Sequence, residues 1–151
     1  MKSLVRYLRA QVPMATGIDL RPGPVTARTV ALWMPLGPNV NDKGTAFAGS
    51  LASLCTVAGW AAVCLECREA GIAVDVAATE GRIRYARPVT AREVYAECRR
   101  PDAVDRDRFL SLLLETARAR LTLTVHVEAD GLVAVRYQGT YESRRTDRSE
   151  S

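Results

Sequence analysis

The stretch Gly44–Leu65, GTAFAGSLASLCTVAGWAAVCL, runs for 22 residues without a charge between Lys43 and Glu66. As a helix it is long enough to span a bilayer. Its composition argues otherwise. Fifteen of the 22 residues are apolar, but six of those are Ala, and the remainder are three Gly, two Ser and two Thr. Insertion free energy comes mainly from Leu, Ile, Phe and Val, which are sparse here, and no polybasic flank sets an orientation. A helix that is apolar all round is also what the buried core of a soluble domain requires. We therefore read a core helix from about Thr45 to Ala70, with Gly71 at the left-handed position that ends it. A membrane anchor is the competing reading.

Outward from that helix the pattern is mostly strands. On the N-terminal side, Ser3–Gln11 reads as a short amphipathic helix capped by Ser3, with Leu4 and Leu8 on one face and Pro13 as its stop. Val25–Met34 reads as a strand broken by Pro35, Gly37 and Pro38, and Asn39–Gly44 as a polar loop. On the C-terminal side, Ile72, Val74 and Val76 alternate, followed by Ile83 and Tyr85, with Pro88 closing the strand. Val94–Cys98 is another short strand, and Asp105 is a candidate cap for a helix carrying Phe109, Leu110, Leu113 and Leu114. Leu121, Leu123, Val125 and Val127 point one way, with Arg120, Thr122, Thr124, His126 and Glu128 opposite. Asp130-Gly131 is a tight-turn signal leading into a partner strand, Leu132–Tyr141. Residues 1–142 make one domain, and the polar run 143–151 reads as a frayed tail.

The whole chain is 151 residues, 48% hydrophobic and 25% charged, with a net charge of +4. That composition excludes collagen-like and wholly disordered chains. The charge is too small and too scattered for a nucleic-acid footprint. Arg outnumbers Lys 19 to 2, a bias that goes with a GC-rich genome. Cys55, Cys64, Cys67 and Cys98 contain a single CxxC pair and no second knuckle, so they read as small buried hydrophobes rather than a zinc site. No secretory leader is visible, and reduced thiols in the cytoplasm are the expected state.

A long uncharged helix must be hidden on most of its surface. Five or six mostly antiparallel strands are available, and the economical solution curves them into one sheet wrapped around the helix, an α+β architecture. Ala46, Ala48, Ala52, Ala58, Gly59, Ala61 and Ala62 let strands approach closely. Such a sheet keeps an unpaired edge, which predicts a homodimer or a dimer of dimers.

Two segments carry a family resemblance. One runs from Asn39 through Asn41-Asp42-Lys43-Gly44-Thr45-Ala46-Phe47-Ala48-Gly49-Ser50 to Trp60; the other is Arg82–Val89, with its Tyr85-Ala86-Arg87-Pro88 core. Together they resemble a thioesterase family of the hot-dog superfamily, found alone and also fused behind GNAT-type acetyltransferases. The resemblance spans Leu4 to Tyr141. It implies the hot-dog fold and hydrolysis of an acyl thioester of coenzyme A or of an acyl carrier protein, with no cofactor beyond the coenzyme A or phosphopantetheine of the substrate itself. The related phenylacetate-type enzymes carry Asn-x-x-Gly-x-x-His-Gly-Gly. Asn41, Gly44 and Gly49 match that pattern, whereas Phe47 replaces the histidine, Ala48 the first paired glycine, and Thr56 the helix aspartate nine residues on.

Thioester cleavage needs donors for an oxyanion and a positioned nucleophile. The first N–H groups of the long helix, around Ala48 and Gly49, have no partner within the helix and lie at the positive end of its dipole. The same small residues also suit tight helix–sheet packing. For the second role the candidates are Asn41, Asp42 and Thr56, with Glu80 as a further carboxylate. Asp and Asn before a helix are routine caps, which is the better reading for one of Asn41 and Asp42, and a mid-helix Thr such as Thr56 more often bonds its own backbone. Gly44, Thr45, Phe47, Ala48, Gly49, Ser50, Tyr85 and Arg87 are the expected substrate-binding residues. Lys43, Arg84 and Arg87 are candidates for phosphate contacts. Phe47 and Trp60 read as core residues able to line an acyl tunnel. His126, the one histidine, falls on a polar strand face, which argues against hydratase chemistry and a serine triad. Binding of acyl-CoA or lipid without catalysis is the alternative function.

Overall fold

The computed structural model describes residues 1–147. Helix α1 (Lys2–Gln11) and the short α2 (Pro13–Gly17) lead into β1 (Arg21–Val25) and β2 (Thr29–Pro35). A 3-10 turn (Gly37–Asn39) precedes the central helix α3 (Ala48–Glu69). Then follow β3 (Val74–Tyr85), β4 (Glu93–Arg99), α4 (Ala103–Thr116), β5 (Arg118–Ala129) and β6 (Leu132–Arg145). The six strands form one antiparallel sheet in the order β1-β2-β4-β5-β6-β3, so β3 is an open edge. This is the hot-dog arrangement, a curved sheet wrapped around one long helix.

The core lies between α3 and the inner sheet face. Leu54, Cys55, Ala58, Ala61, Ala62 and Val63 are fully buried against Val30, Leu32, Ala96, Val125 and Tyr141. Small helix residues make this approach possible. A Cβ at Gly59 would overlap the Tyr141 hydroxyl, which donates to the Thr56 carbonyl at 2.8 Å. α3 is long and apolar enough to cross a membrane by length and composition, and half of that apolar window is buried inside the fold.

Several boundaries differ from the sequence expectations. α3 begins at Ala48 rather than Thr45, because residues 41–45 are tied into a loop described below. The strand expected over Val25–Met34 is two strands, since the Thr26 hydroxyl accepts from the Arg28 and Thr29 amides and turns the chain. Asp102, not Asp105, caps α4: its carboxylate accepts from the Asp105 N–H at 2.8 Å. Ser3 lies inside α1 and accepts from Arg68 Nη1 at 2.8 Å, leaving Met1 at the cap position. The strand expected to stop at Tyr141 continues to Arg145, where it pairs with Val74, so the tail expected from residue 143 begins as ladder. Residues 148–151 of that tail lie outside the described residues. Asp130 and Gly131 both take positive φ, 54° and 75°, as a two-residue hairpin of this twist requires.

Candidate active site

The loop before α3 is held by Asn41. Its Oδ1 accepts from the Lys43 and Thr45 amides at 2.9 and 3.1 Å, and its Nδ2 donates to Thr45 Oγ1 at 2.9 Å. The Asn41 amide donates to the Thr45 carbonyl, and Gly44 closes the turn at a φ of +77°. Ala46 N–H then reaches Val89 O at 2.8 Å, and Phe47 N–H reaches Asn39 O at 2.7 Å. These bonds join the loop to the segment after β3 and launch the helix from Phe47, whose extended backbone (φ −66°, ψ 134°) suits a cap residue.

Phe47 has no side-chain acceptor, so the start of α3 is uncapped. The first intrahelical bond is Leu51 N–H to Phe47 O. The Ala48, Gly49 and Ser50 amides have no acceptor among the described residues. Ala48 and Gly49 are exposed, and Ser50 is buried. Three unpaired N–H groups at the positive end of a 22-residue helix make an anion-attracting tip.

Beside this tip lies a cleft of about 300 Å³, lined by Asn41, Ala46, Ala48, Leu51 and the segment Tyr85–Val89. Tyr85 donates its hydroxyl to the Ala48 carbonyl at 3.0 Å and so pins the end of β3 to the helix start. Partial desolvation at the helix start, with the Cys55 thiol nearby, raises the Tyr85 phenol above its usual range and keeps it a donor. Arg87 stands at the cleft with Pro88. Gly44, Thr45, Ala48, Gly49, Tyr85 and Arg87 thus gather at or beside one opening.

Five of the residues named from the sequence stand apart from the cleft of the single chain. Asp42 is 81% exposed and paired only with Lys43 at 3.1 Å, so it lacks the enclosed surroundings a general base needs. Thr56 lies eight residues beyond Ala48, about 12 Å along the axis. Its hydroxyl donates to Ala52 O at 2.8 Å, with Tyr137 Oη at 3.4 Å. Phe47 is not in the core: it is 54% exposed, with its ring folded over Gly49, where a Cβ would come within 2.5 Å of it. Trp60 is half-buried away from the cleft, stacked on Tyr7 at 6.3 Å and donating to Val76 O at 3.1 Å. Glu80 sits on the outer face of β3, next to a bulge.

Among the described residues no carboxylate or histidine lines the cleft. His126 lies on the outer sheet face between Glu97 and Glu128, at 3.7 and 3.6 Å. Burial pushes all four thiols up to about 12, so they stay protonated and are not nucleophiles. Among the described residues no three His, Cys, Asp or Glu side chains cluster as metal ligands.

The carboxylate that sequence reasoning missed is Glu66, read only as the end of the uncharged run. It is fully buried; Oε1 accepts from Arg100 Nε at 2.6 Å and Oε2 from Arg106 Nε at 2.8 Å. Its spacing from Cys55 and Ala62 places it on the buried stripe of the helix, and that periodicity was the available signal.

Comparison with known proteins agrees with this fold. A structure of a "putative thioesterase" from Shewanella oneidensis is 28% identical, with a TM-score of 0.86 over 94% of this chain and 95% of that one. A protein of unknown function from Chlorobaculum tepidum is also 28% identical, with a TM-score of 0.89 over 96% and 94%. A "probable thioesterase" from Pseudomonas aeruginosa, at 22% identity and a TM-score of 0.76 over 97% of each chain, shares the fold. The family model described as "Putative thioesterase (yiiD_Cterm)" matches residues 1–145. The chain belongs to that family of hot-dog proteins.

Proposed function

We propose that this protein hydrolyses acyl thioesters, with the bare start of α3 as its oxyanion site. The observation that carries the reading is the set of unpaired Ala48, Gly49 and Ser50 amides beside a cleft walled by Leu51, Tyr85 and Val89. A thioester carbonyl brought to that tip gains hydrogen bonds and dipole stabilisation as its oxygen becomes negative. Water adds to the carbonyl carbon, the C–S bond breaks, and the thiolate leaves with the proton lost by water. Asn41 borders the cleft and keeps one amide N–H beyond its bond to Thr45, enough to orient water or the carbonyl.

Deprotonation of water falls to a group outside the single chain's cleft, since among the described residues no base lines it. The open edge β3, 12 residues long, is the surface across which a second copy would bring one. A homodimer joined at that edge is therefore part of the proposal. The test is release of free thiol from a panel of acyl-CoA and acyl-carrier substrates. Turnover of one or more supports the reading, and no turnover by the assembled protein ends it. The missing base favours one second reading, acyl-thioester binding without hydrolysis. That reading predicts thermal stabilisation by acyl-CoA with no thiol released.

A further inference from the structure

The outer sheet face holds two groups of arginines in opposite states. At one end Arg118, Arg120 and Arg144 converge on Glu142, at 3.7, 3.2 and 3.2 Å. At the other end, where β3 runs into the cleft, Arg84 lies directly across the ladder from Arg136, and Arg82 lies across from Gln138. All three of these arginines are exposed, and none has a carboxylate within 4.0 Å among the described residues. Like charges directly opposite in a sheet repel each other, so the Arg84–Arg136 pair is unfavourable unless something anionic sits between them. A groove of about 410 Å³ lined by Glu80, Gly81, Arg82, Gln138 and Thr140 adjoins them.

Resting on the thioesterase reading above, we propose that Arg82, Arg84 and Arg136 hold the phosphates of coenzyme A, making the substrate a CoA ester rather than a carrier-protein ester. Planar guanidinium forks match phosphate oxygens in pairs. Arg87, three residues after Arg84, lines the cleft, so at most about 10 Å of chain separates the two arginines. A pantetheine arm covers that distance. The cationic patch is compact and flanked by carboxylates, with Glu80 on one side and Glu97 and Glu128 around His126 on the other. A compact polyphosphate fits between those flanks, whereas a broad acidic protein surface would be repelled by them.

Calorimetric titration of the intact protein with CoA, with pantetheine and with an acidic acyl carrier protein tests this. CoA is expected to bind at least about tenfold more tightly than pantetheine. The Arg84→Ala/Arg136→Ala double variant should lose that advantage while binding pantetheine as before. Arg118→Ala, at the far end of the face, should bind CoA unchanged. Equal affinity for CoA and pantetheine, undiminished CoA binding by the double variant, absence of CoA binding, or tighter binding of the carrier protein would each overturn the proposal. Arginine-dependent CoA binding without thioester cleavage would leave this site standing and remove only the hydrolase reading.

Discussion

The two ends of α3 are built in opposite ways. At the C-terminal end three of the last carbonyls and both carboxylates have partners. The Glu66, Cys67 and Arg68 carbonyls accept from the Ala70, Ile72 and Gly71 amides. Glu66 is locked between Arg100 and Arg106, and Glu69 takes a second Arg100 nitrogen. At the N-terminal end three amides are left open and the cap position holds an exposed Phe47. A chain that saturates one end and leaves the other bare is spending the first on stability and keeping the second for a ligand.

The sharpest way to break that contrast is at the saturated end. Glu66→Ala takes one partner from the largely buried Arg100, which keeps Glu69, and the carboxylate partner from the part-exposed Arg106, which costs about 2 kcal/mol or more. Urea denaturation should show a lower midpoint with unchanged slope, while the surviving folded protein keeps its turnover per site. Comparable stability to the parent would mean that the C-terminal clamp is not structural.

The open end predicts a smaller and uneven pattern. Asn41→Ala removes three side-chain hydrogen bonds from the loop and should cost about 1–2 kcal/mol, with a matching loss of thioesterase activity. Asp42→Ala removes only an exposed pair with Lys43 and should fall within about 0.5 kcal/mol of neutral, with activity kept. If Asp42→Ala abolished activity and Asn41→Ala did not, the roles assigned to this loop would be reversed.

The smallest expected effect lies away from both ends. Hydrogen bonds from Arg21 and Arg9 hold the Asp19 carboxyl below its ordinary value. A group depressed in the folded state stabilises above its unfolded pKa, near 4, and that contribution fades as pH falls through the folded value. Asp19→Asn, which tolerates the same left-handed backbone, should therefore show a shallower loss of stability below about pH 4. The difference should be slight because the pair is exposed.

Much of the fold was legible because burial writes a periodic pattern. The uncharged run marked α3, strict alternation marked β5, and Asp130-Gly131 marked the hairpin. The family blocks also contain Asn41, Ala48, Tyr85 and Arg87, which line one cleft. What stayed hidden depends on contacts distant in sequence. Phe47 looked like core because its neighbours are apolar, yet the bonds that bring Asn39 and Val89 to this turn rotate it outward. Arg136 drew no notice until the β3–β6 register placed it opposite Arg84. Glu66 looked like a boundary because its two arginines come from β4's end and from α4.

The central claim is that the uncapped tip of α3 serves a ligand at some expense to the helix. Phe47→Asp tests it most directly, because Phe47 already has cap geometry and an aspartate there would accept from the open amides. Measured against Phe47→Ala, the aspartate variant should be about 1 kcal/mol more stable in urea denaturation. Its kcat/KM on an acyl-CoA should be roughly a hundredfold lower. An aspartate variant that gained that stability and hydrolysed its thioester as fast as the alanine variant would contradict the account.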